Sequence, residues 1–271
     1  MFQNRAIEVK TPEQIAQMRR AGLVVAETLD LLRSAVAPGV TTRELDSIAA
    51  AHLAGRGATS NFLGYRGYPA TICTSVDDVV VHGIPGERQL REGDLVSIDC
   101  GAIVAGWHGD AAVTVAVGKA APVHLELMAV CEEALWRGIA AARVGGRVGD
   151  ISAAVESHVR AQGDYGIVEE YVGHGIGSAM HMAPNVPNVG RAGKGPRLVA
   201  GMALAVEPMV TLGGIDTEVL DDDWTVVSSD GAWSAHFEHS FALTDRGLVV
   251  LTAMDGGAAR LAELGVPCAV S

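Results

Sequence analysis

Apolar residues recur at helical spacing in two segments near the start of the chain. The first segment follows Thr11-Pro12-Glu13-Gln14, which is typical of a helix start, and Thr41 with Glu44 opens the second. The apolar positions are Ile15, Met18, Val25, Leu29 and Leu32 in the first, and Leu45, Ile48, Ala49 and Leu53 in the second. The pattern predicts two helices, which end near APG (37–39) and near Gly55 and Gly57.

A similar pair of helices is predicted about 106 residues later. One begins near Pro122, contains Leu125, Met128, Ala129 and Ile139, and ends at Gly145-Gly146. The other carries Ile151, Val155 and Val159 and ends at Gly163. Matching places are also held by His52 and His158, and by Gly57 and Gly163.

A strand-forming stretch follows each helix pair. GDLVSIDCG (93–101) is echoed by GMALAVEPM (201–209), with Asp99 and Glu207 at similar positions. We interpret this repeat as a duplicated α+β domain whose halves share one sheet system. The prediction is one domain over residues 1–271, with halves at about 11–118 and 119–252. The tail after Ala253 is expected to be loosely held at its end.

Composition narrows the class of protein. The chain has 271 residues, is 49% hydrophobic and has no run of about 18 apolar residues, so we expect no membrane span. MFQNRAIEVKTPEQ lacks the pattern of a signal peptide. The four scattered cysteines indicate free thiols in a reducing cytoplasm. A net charge of −12 disfavours a general nucleic-acid binder.

Four carboxylates stand in apolar stretches that read as strands. Asp99 ends one run and Asp110 opens the next, so a hairpin turning near Ala105 would place the two directly opposite each other. Glu207, before the strand-interrupting Pro208, and Glu238 lie in similar stretches. For a single residue the alternatives are a turn aspartate near the rim, or an edge glutamate facing water.

Two Asp, two Glu and the nearby His174 would suit a pair of divalent cations. Carboxylates can bridge two metals, and oxygen-rich ligation with one imidazole favours Mn, Fe(II), Co or Zn over a structural zinc site. Two such ions can lower the pKa of a shared water and polarise a carbonyl. That is the chemistry of a hydrolase.

The chain resembles the type I methionine aminopeptidases of the pita-bread fold, in their compact bacterial form. Six motifs between about Thr11 and Leu251 carry the resemblance: GYRGYPATICTSVDDVVVHGIP, GDLVSIDCG, GWHGDAAVT, YVGHGIGSAMHMAPNVPN, ALAVEPMV and DDWTVVSSDGAWSAHFEHSFALT. It implies a duplicated, mostly antiparallel sheet with helices outside. The implied activity is removal of the initiator methionine before a small second residue, by a metal-bridged hydroxide in a dinuclear site.

Residue roles follow from the resemblance. Asp99 would bind one metal, His174 and Glu207 the other, and Asp110 and Glu238 both. His82 would lie by the scissile nitrogen and His181 by the substrate carbonyl oxygen, and with Glu207 they form the expected catalytic set. The methionine pocket would consist of Tyr65, Tyr68, Cys73 and Trp224. Met180 departs from the bulky aromatic common at this position, which changes the expected rim of the pocket.

Each of these residues also has an ordinary structural interpretation. Taken alone, His181 reads as a polar loop residue and His82, before Gly83-Ile84-Pro85, as part of a turn. Cys73 and the three pocket aromatics would then be core side chains. His108, His236 and His239 are interpreted as supporting residues rather than ligands.

Three rival proteins share features with the sequence. Xaa-Pro aminopeptidases, prolidases and creatinases have the same fold but usually carry an extra N-terminal domain, whereas this chain starts almost directly at the first helix. A non-catalytic peptide- or RNA-binding relative would have lost ligands, and all five remain. A plain α+β scaffold is the third.

The expected setting is cytoplasmic, and the expected state is a monomer acting on nascent polypeptides. The basic segment RAGKGPR (191–197) is interpreted as a solvated loop, and a transient ribosome contact is the alternative.

Overall fold

Five α-helices and one 3-10 turn form in the computed structural model, which describes residues 6–269. Expectations about residues 1–5 and 270–271 lie outside the described range. The helices are α1 (Pro12–Ala35), α2 (Thr42–Gly55), α3 (Pro122–Ala141), α4 (Val148–Gln162) and α5 (Ala258–Glu263), and the 3-10 turn is Tyr65–Gly67. No helix within the described residues is long and apolar enough to cross a membrane.

The predicted starts of α1 and α2 are confirmed at the level of hydrogen bonds. The Thr11 hydroxyl accepts from the Gln14 N–H, and the Gln14 side chain accepts from the Thr11 N–H. Thr41 and Glu44 make the same reciprocal pair at α2. Such caps satisfy N–H groups that the helix itself cannot, and each contributes about 1 kcal/mol.

Most of the residues predicted to form the apolar faces of α1, α2 and α4 are buried. The predicted face of α3 is partly wrong. Ile15, Met18, Val25, Leu29 and Leu32 are all buried in α1. In α3, however, Leu125 is 47% exposed and the buried face begins at Leu127. The helix offers several apolar positions that could form a face, and only packing against the sheet selects among them.

The strands form one large sheet and two small ones, and every strand pair is antiparallel. They are β1 (Thr59–Ser60), β2 (Cys73–Val76), β3 (Val79–Val81), β4 (Leu95–Val104), β5 (Trp107–Ala116), β6 (Gly166–Ile167), β7 (Gly173–Gly175), β8 (Met182–Val186), β9 (Ala203–Val206), β10 (Met209–Thr211), β11 (Thr217–Val219), β12 (Val226–Ser228), β13 (Ser234–His236), β14 (Glu238–Thr244) and β15 (Gly247–Val250).

The large sheet joins strands from the two ends of the chain. Its order is β1-β4-β5-β14-β9-β7-β8, with β2 also paired to β4 and β15 to β14. The pairing of β5 with β14 is the seam between the early and the late strands. The small sheets are β13-β10-β6 and β11-β12-β3. Both β11-β12-β3 and the large sheet mix early and late strands, as the expectation of a shared sheet system requires.

Helix α1 packs on the β4–β5 hairpin, and α3 packs on β10 and β13 with α4 against it. The duplicated α+β architecture predicted from the repeat is therefore present. The boundaries of the halves, at about 11–118 and 119–252, remain a prediction.

The tail is held more firmly than expected. Helix α5 buries Leu261, the Ala269 N–H donates to the Leu248 carbonyl, and Cys268 bridges to Leu248 beside β15. Apolar residues such as Leu264 and Val266 are present there, but the sequence alone does not show that the tail also pairs through its backbone. The tail is thus fastened at least as far as Ala269.

Candidate metal and substrate site

The β4–β5 hairpin turns at Ala105 and Gly106, as predicted, but Asp99 and Asp110 are not directly opposite each other. Asp99 pairs with Ala112 and Asp110 with Gly101. The two-residue turn, with φ of 50° at Ala105 and 80° at Gly106, fixes this register. The aspartates are therefore diagonal neighbours on one face of the hairpin, a spacing that leaves room for something between them.

His174 is carried by β7 between two glycines. A Cβ at Gly173 would lie 2.3 Å from the Ala205 carbonyl oxygen, and one at Gly175 would lie 2.2 Å from that of Ala183. Glycine is required here because the backbones pack so closely. The His174 Nδ1 lies 3.0 Å from the Gly175 carbonyl oxygen, so Nδ1 carries the proton and Nε2 is left as an electron-pair donor.

Glu207 and Glu238 lie opposite each other at the ends of adjacent strands. His239 on β14 pairs with Val206 on β9, so the next residues in register are Glu238 and Glu207. Glu207 stands in the break between β9 and β10, beside Pro208, as predicted. Its Oε1 lies 3.4 Å from the His174 Nε2.

The five predicted ligands converge on one place. Ligand atoms of Asp110, His174 and Glu238 all lie within 4.8 Å of one another, and Glu207 contacts His174. Buried oxygens of Asp99, Asp110 and Glu238 have no hydrogen-bond partner among the described residues. Buried carboxylate oxygens almost always have a hydrogen-bond partner or a cation, so this set of side chains is suited to binding a cation.

Burial shifts the pKa of every member against its charged form. It raises the pKa of Asp99 to about 7. It also raises the pKa values of Asp110, Glu207 and Glu238 well above the usual range, and the neighbouring carboxylates add to the effect. Burial lowers the pKa of His174 to about 4, so its contact with Glu207 is not an ion pair. A divalent cation would reverse these preferences for the carboxylates.

The predicted apolar pocket adjoins the cluster. A single cavity of about 380 Å³, termed here the central cavity, is lined by all five ligands and by His82, His181, Tyr65, Tyr68, Cys73 and Trp224. The Tyr68 and Trp224 ring centroids are 5.0 Å apart, and Cys73 is paired in register with Asp99. Met180 is 4% exposed and belongs to this apolar wall.

The two histidines predicted to meet substrate both line this cavity. The His181 ring lies 4.4 Å from the His174 ring, and its Nδ1 lies 2.9 Å from the Tyr65 hydroxyl. His82 packs edge-on against Tyr171, at 5.5 Å between ring centroids. His82 has a φ of 61°, in the left-handed region that non-glycine residues seldom adopt and that occurs both in turns and at functional sites.

Several residues of the site were not identified from the sequence. The Asn61 side-chain amide donates to the Gly109 carbonyl, and its oxygen is hydrogen-bonded to the His108 Nδ1. The Ser240 hydroxyl accepts from the Asp110 N–H and donates to the Asp110 carbonyl. Both act by holding the β4–β5 hairpin, so His108 supports the site as expected. The central cavity is also lined by Phe62, Arg66, Val81, Glu170, Tyr171, Val172, Asn185 and Met209. Arg66 stands inside the GYRGYP motif, which was the available signal.

Comparison with known proteins fits this geometry. The model of metallopeptidase family M24 matches residues 16–245. A methionine aminopeptidase of Clostridium acetobutylicum is 47% identical over 91% of this chain and 98% of its own length. Methionine aminopeptidase 1 of Mycobacterium tuberculosis is 49% identical over 92% and 96%. The structure of the Thermotoga maritima methionine aminopeptidase aligns with a TM-score of 0.90 at 39% identity, covering 92% of this chain and 100% of that one.

The fold and the cluster thus define a metallopeptidase. The chain belongs to metallopeptidase family M24 and, within it, to the methionine aminopeptidases. The pita-bread fold implied by the resemblance is confirmed. A prolidase of Pyrococcus furiosus has the same fold, with a TM-score of 0.72 at 20% identity, and this chain covers 65% of it.

Proposed function

We propose that this enzyme removes the N-terminal methionine from nascent proteins whose second residue is small. The central cavity carries the proposal, because it joins a carboxylate–histidine cluster to an apolar pocket of suitable size. An exopeptidase needs both parts: one holds the reacting end of the peptide, and the other selects its first side chain. The proposed setting is the cytoplasm, where nascent chains are made, and the proposed state is a monomer. We interpret segment 191–197 as a solvated loop, with a transient ribosome contact as the alternative.

The metal assignment is part of the proposal. Asp99 would hold one divalent cation, His174 and Glu207 the other, and Asp110 and Glu238 both. The buried oxygens of Asp99, Asp110 and Glu238 that lack a hydrogen-bond partner among the described residues support this assignment. The unprotonated Nε2 of His174 supports it as well. When bound, two such ions activate water and polarise a carbonyl. Four carboxylates and one imidazole suit Mn, Fe(II), Co or Zn.

The methionine side chain would lie among Tyr65, Tyr68, Cys73 and Trp224. Phe62 and Met180 complete this apolar wall, and the Tyr68 hydroxyl is already bonded to the Ile72 and Gly83 carbonyls, both at 3.1 Å. The pocket therefore offers rings and sulfur rather than free polar groups. A thioether is flexible and polarisable and packs well in such surroundings.

His181 and His82 would act on the scissile bond as neutral imidazoles. Burial lowers the pKa of His181 to about 3 and that of His82 to about 4. When the Tyr65 hydroxyl donates to His181 Nδ1, the ring proton sits on Nε2 and can be donated to a developing oxyanion. His82 would accept or donate at the scissile nitrogen. Glu207 would carry a proton between the attacking water and the leaving amine.

The preference for a small second residue has a physical basis in the wall beside His82. Tyr171 packs against the His82 ring, and Met209 is fully buried next to it. A bulky second side chain would meet this wall and move the scissile carbonyl away from His181. A displacement of about 1 Å can cost about 10² in rate.

The experiment is a series of amide-capped Met-X-Ser peptides, with X from Gly to Trp, at fixed metal and pH. We expect kcat/KM to be highest for Gly, Ala and Ser and at least about 10² lower for Trp. A leucine in place of the first methionine should be rejected more weakly, because about one methylene in an apolar pocket is worth roughly 1–3 kcal/mol. Equal rates for Ala and Trp would refute the small-residue rule, and faster cleavage of Xaa-Pro peptides would favour a prolidase activity.

A further inference from the structure

One arginine and no lysine line the central cavity within residues 6–269. Arg66 shares the cavity with five acidic residues: Asp99, Asp110, Glu170, Glu207 and Glu238. Four of these belong to the buried cluster. Glu170 differs from them because it is exposed and accepts a hydrogen bond from the Thr217 hydroxyl, at 3.0 Å. The cavity is therefore acidic at its base, with a single guanidinium at its exposed rim.

The backbone of Arg66, rather than an ion pair, holds this residue in place. It has φ 48° and ψ 27°, in the left-handed region that non-glycine residues avoid. The turn is closed by bonds from the Gly64 N–H to the Tyr68 carbonyl, at 2.8 Å, and from the Tyr68 N–H to the Tyr65 carbonyl, at 2.9 Å. The Arg66 Cζ lies 5.4 Å from the centroid of the Tyr65 ring. A costly conformation, kept by a well-bonded turn, directs this side chain to the rim.

The charge of Arg66 is available to a ligand. Among the described residues, no carboxylate oxygen lies within 4.0 Å of its guanidinium nitrogens. Its stacking partner Tyr65 bonds His181, the residue proposed to meet the substrate carbonyl. The guanidinium thus lies beside the path that a peptide would follow out of the cavity.

We propose that Arg66 recognises a carboxylate on the third residue of the substrate, so that Met-Ala-Glu and Met-Ala-Asp sequences are favoured. This rests on the proposed function, in which the first residue fills the pocket and the second is restricted by the wall at His82. Each further residue advances the chain by about 3.3–3.6 Å, so the third is the first side chain free to face the rim. A guanidinium fork matches a carboxylate in geometry as well as in charge.

The test compares three capped peptides: Met-Ala-Glu-Ser-amide, Met-Ala-Gln-Ser-amide and Met-Ala-Lys-Ser-amide. The wild-type kcat/KM should fall in the order Glu, Gln, Lys, with a Glu-to-Gln ratio of about two- to fivefold at low salt, since the pair is exposed. The ratio should shrink as salt rises. Arg66→Gln should abolish it, Arg66→Lys should keep part of it, and Arg66→Glu should reverse the order. Arg246→Glu, an exposed arginine outside the cavity, is the matched control and should leave the order unchanged.

A wild-type order that does not favour Glu, or an order that survives in Arg66→Glu, would overturn the inference. An equal loss of rate on all three peptides in Arg66→Gln would also overturn it, because Arg66 would then only support Tyr65 and His181. Failure of the proposed function is distinguishable, since the wild-type enzyme would then fail to release methionine even from the Gln peptide.

Discussion

At the scale of single residues, the site uses its two neighbouring histidines differently. His174 has a bonded Nδ1 and an Nε2 that faces Glu207, which is the arrangement of a metal ligand. His181 is bonded through Nδ1 to the Tyr65 hydroxyl and faces the cavity instead. The segment from His174 to His181 thus joins a candidate ligand to a candidate donor.

Replacing His181 with Ala should lower kcat by about 10²–10³ and leave metal content nearly intact, because it removes one preorganised donor to an oxyanion. His174→Ala is the matched comparison and should lose metal as well as activity. Metal content by atomic absorption and turnover of Met-Ala-Ser-amide measure the two effects. Loss of metal in the His181 variant would contradict the division of roles.

Among the described residues, the buried Oδ1 of Asp110 has no hydrogen-bond partner, and Asp99 and Glu207 both add to the raised pKa of Asp110. Asp110→Asn keeps the shape but removes an anion assigned to both cations. We expect activity to be lost and metal binding to weaken. The exposed Asp245→Asn serves as the control. An Asp110 variant with full metal content and full activity would show that the bridging assignment is wrong.

At the scale of elements, local rules predicted some features and packing decided others. The caps of α1 and α2 and the turn at Ala105 depend on neighbouring residues, so the sequence was sufficient to identify them. The cross-strand register of Asp99 and Asp110 shifts by two when the centre of the turn moves by one residue, and the sequence placed the turn only near Ala105. The buried face of α3 and the pairing of the tail with β15 depend on distant partners.

The site residues were easier to predict than the contacts that hold them. Carboxylates in apolar strands are conspicuous, and the six motifs located the histidines and pocket aromatics. Tyr171 and Ser240 lie inside two of those motifs. An amide, a hydroxyl or a ring is nevertheless common in any fold, so neither they nor Asn61 stood out as site residues. Their roles became visible only when distant strands were brought together.

An N-terminal segment before α1 braces the loop that leads to His181. The Glu8 carboxylate accepts bonds from the Ser178 backbone N–H, at 3.2 Å, and from its hydroxyl. Lys10 is buried beside Glu8, and its N–H donates to the Gly201 carbonyl at 2.7 Å. A Cβ at Gly177 would lie 2.2 Å from the Glu8 Oε1, so a larger residue there would displace the Glu8 side chain. The brace therefore fixes the loop between His174 and His181 from outside the cavity.

Removing the brace should impair positioning more than stability. We expect Ser178→Ala and Glu8→Gln each to lower kcat by up to about 10-fold with KM and metal content little changed, because small displacements of catalytic groups are costly. Ser178→Thr, which keeps the hydroxyl, should retain most of the rate. Thr41→Ala at the α2 cap is the contrast, since it should cost about 1 kcal/mol of stability without changing kcat. Equal kcat values for Ser178→Ala and the wild-type enzyme would refute this role.

At the scale of the whole molecule, the site combines residues from early and late strands of the chain. Asp99 and Asp110 come from the β4–β5 hairpin, whereas His174, Glu207 and Glu238 come from β7, the end of β9 and β14. Cations held by these five residues would connect strands across the β5–β14 seam. Metal binding should therefore stabilise the fold as a whole, by about 2.7 kcal/mol when the free metal is at 100 times its Kd.

The pH dependence of that stabilisation follows from the pKa shifts. A carboxyl whose pKa is raised in the folded state stabilises the metal-free protein below its unfolded pKa, and this contribution is lost as pH rises through the folded pKa. For Asp99 the window runs from about 4 to about 7. Buried histidines outside the ligand set, such as His236 with a pKa of about 3, act in the opposite direction, since they must lose protons to stay buried. Their effect is common to both forms of the protein and largely cancels when the metal-bound and metal-free forms are compared.

We therefore expect the gain in Tm on adding Mn²⁺ to chelator-treated protein to be small at pH 5 and large at pH 7.5. At pH 5 the cation must displace a proton from Asp99, whereas at pH 7.5 the Asp99 carboxylate is mostly deprotonated and the cation relieves its repulsion by the neighbouring carboxylates. Thermal unfolding at both pH values, with Mn²⁺ or with EDTA, measures the difference. Asp99→Asn removes the group that titrates near pH 7, so its metal-dependent gain should vary less with pH. If the wild-type gain were the same at both pH values, proton displacement from these carboxylates would not accompany metal binding, and the assignment of the cluster as the metal site would fail.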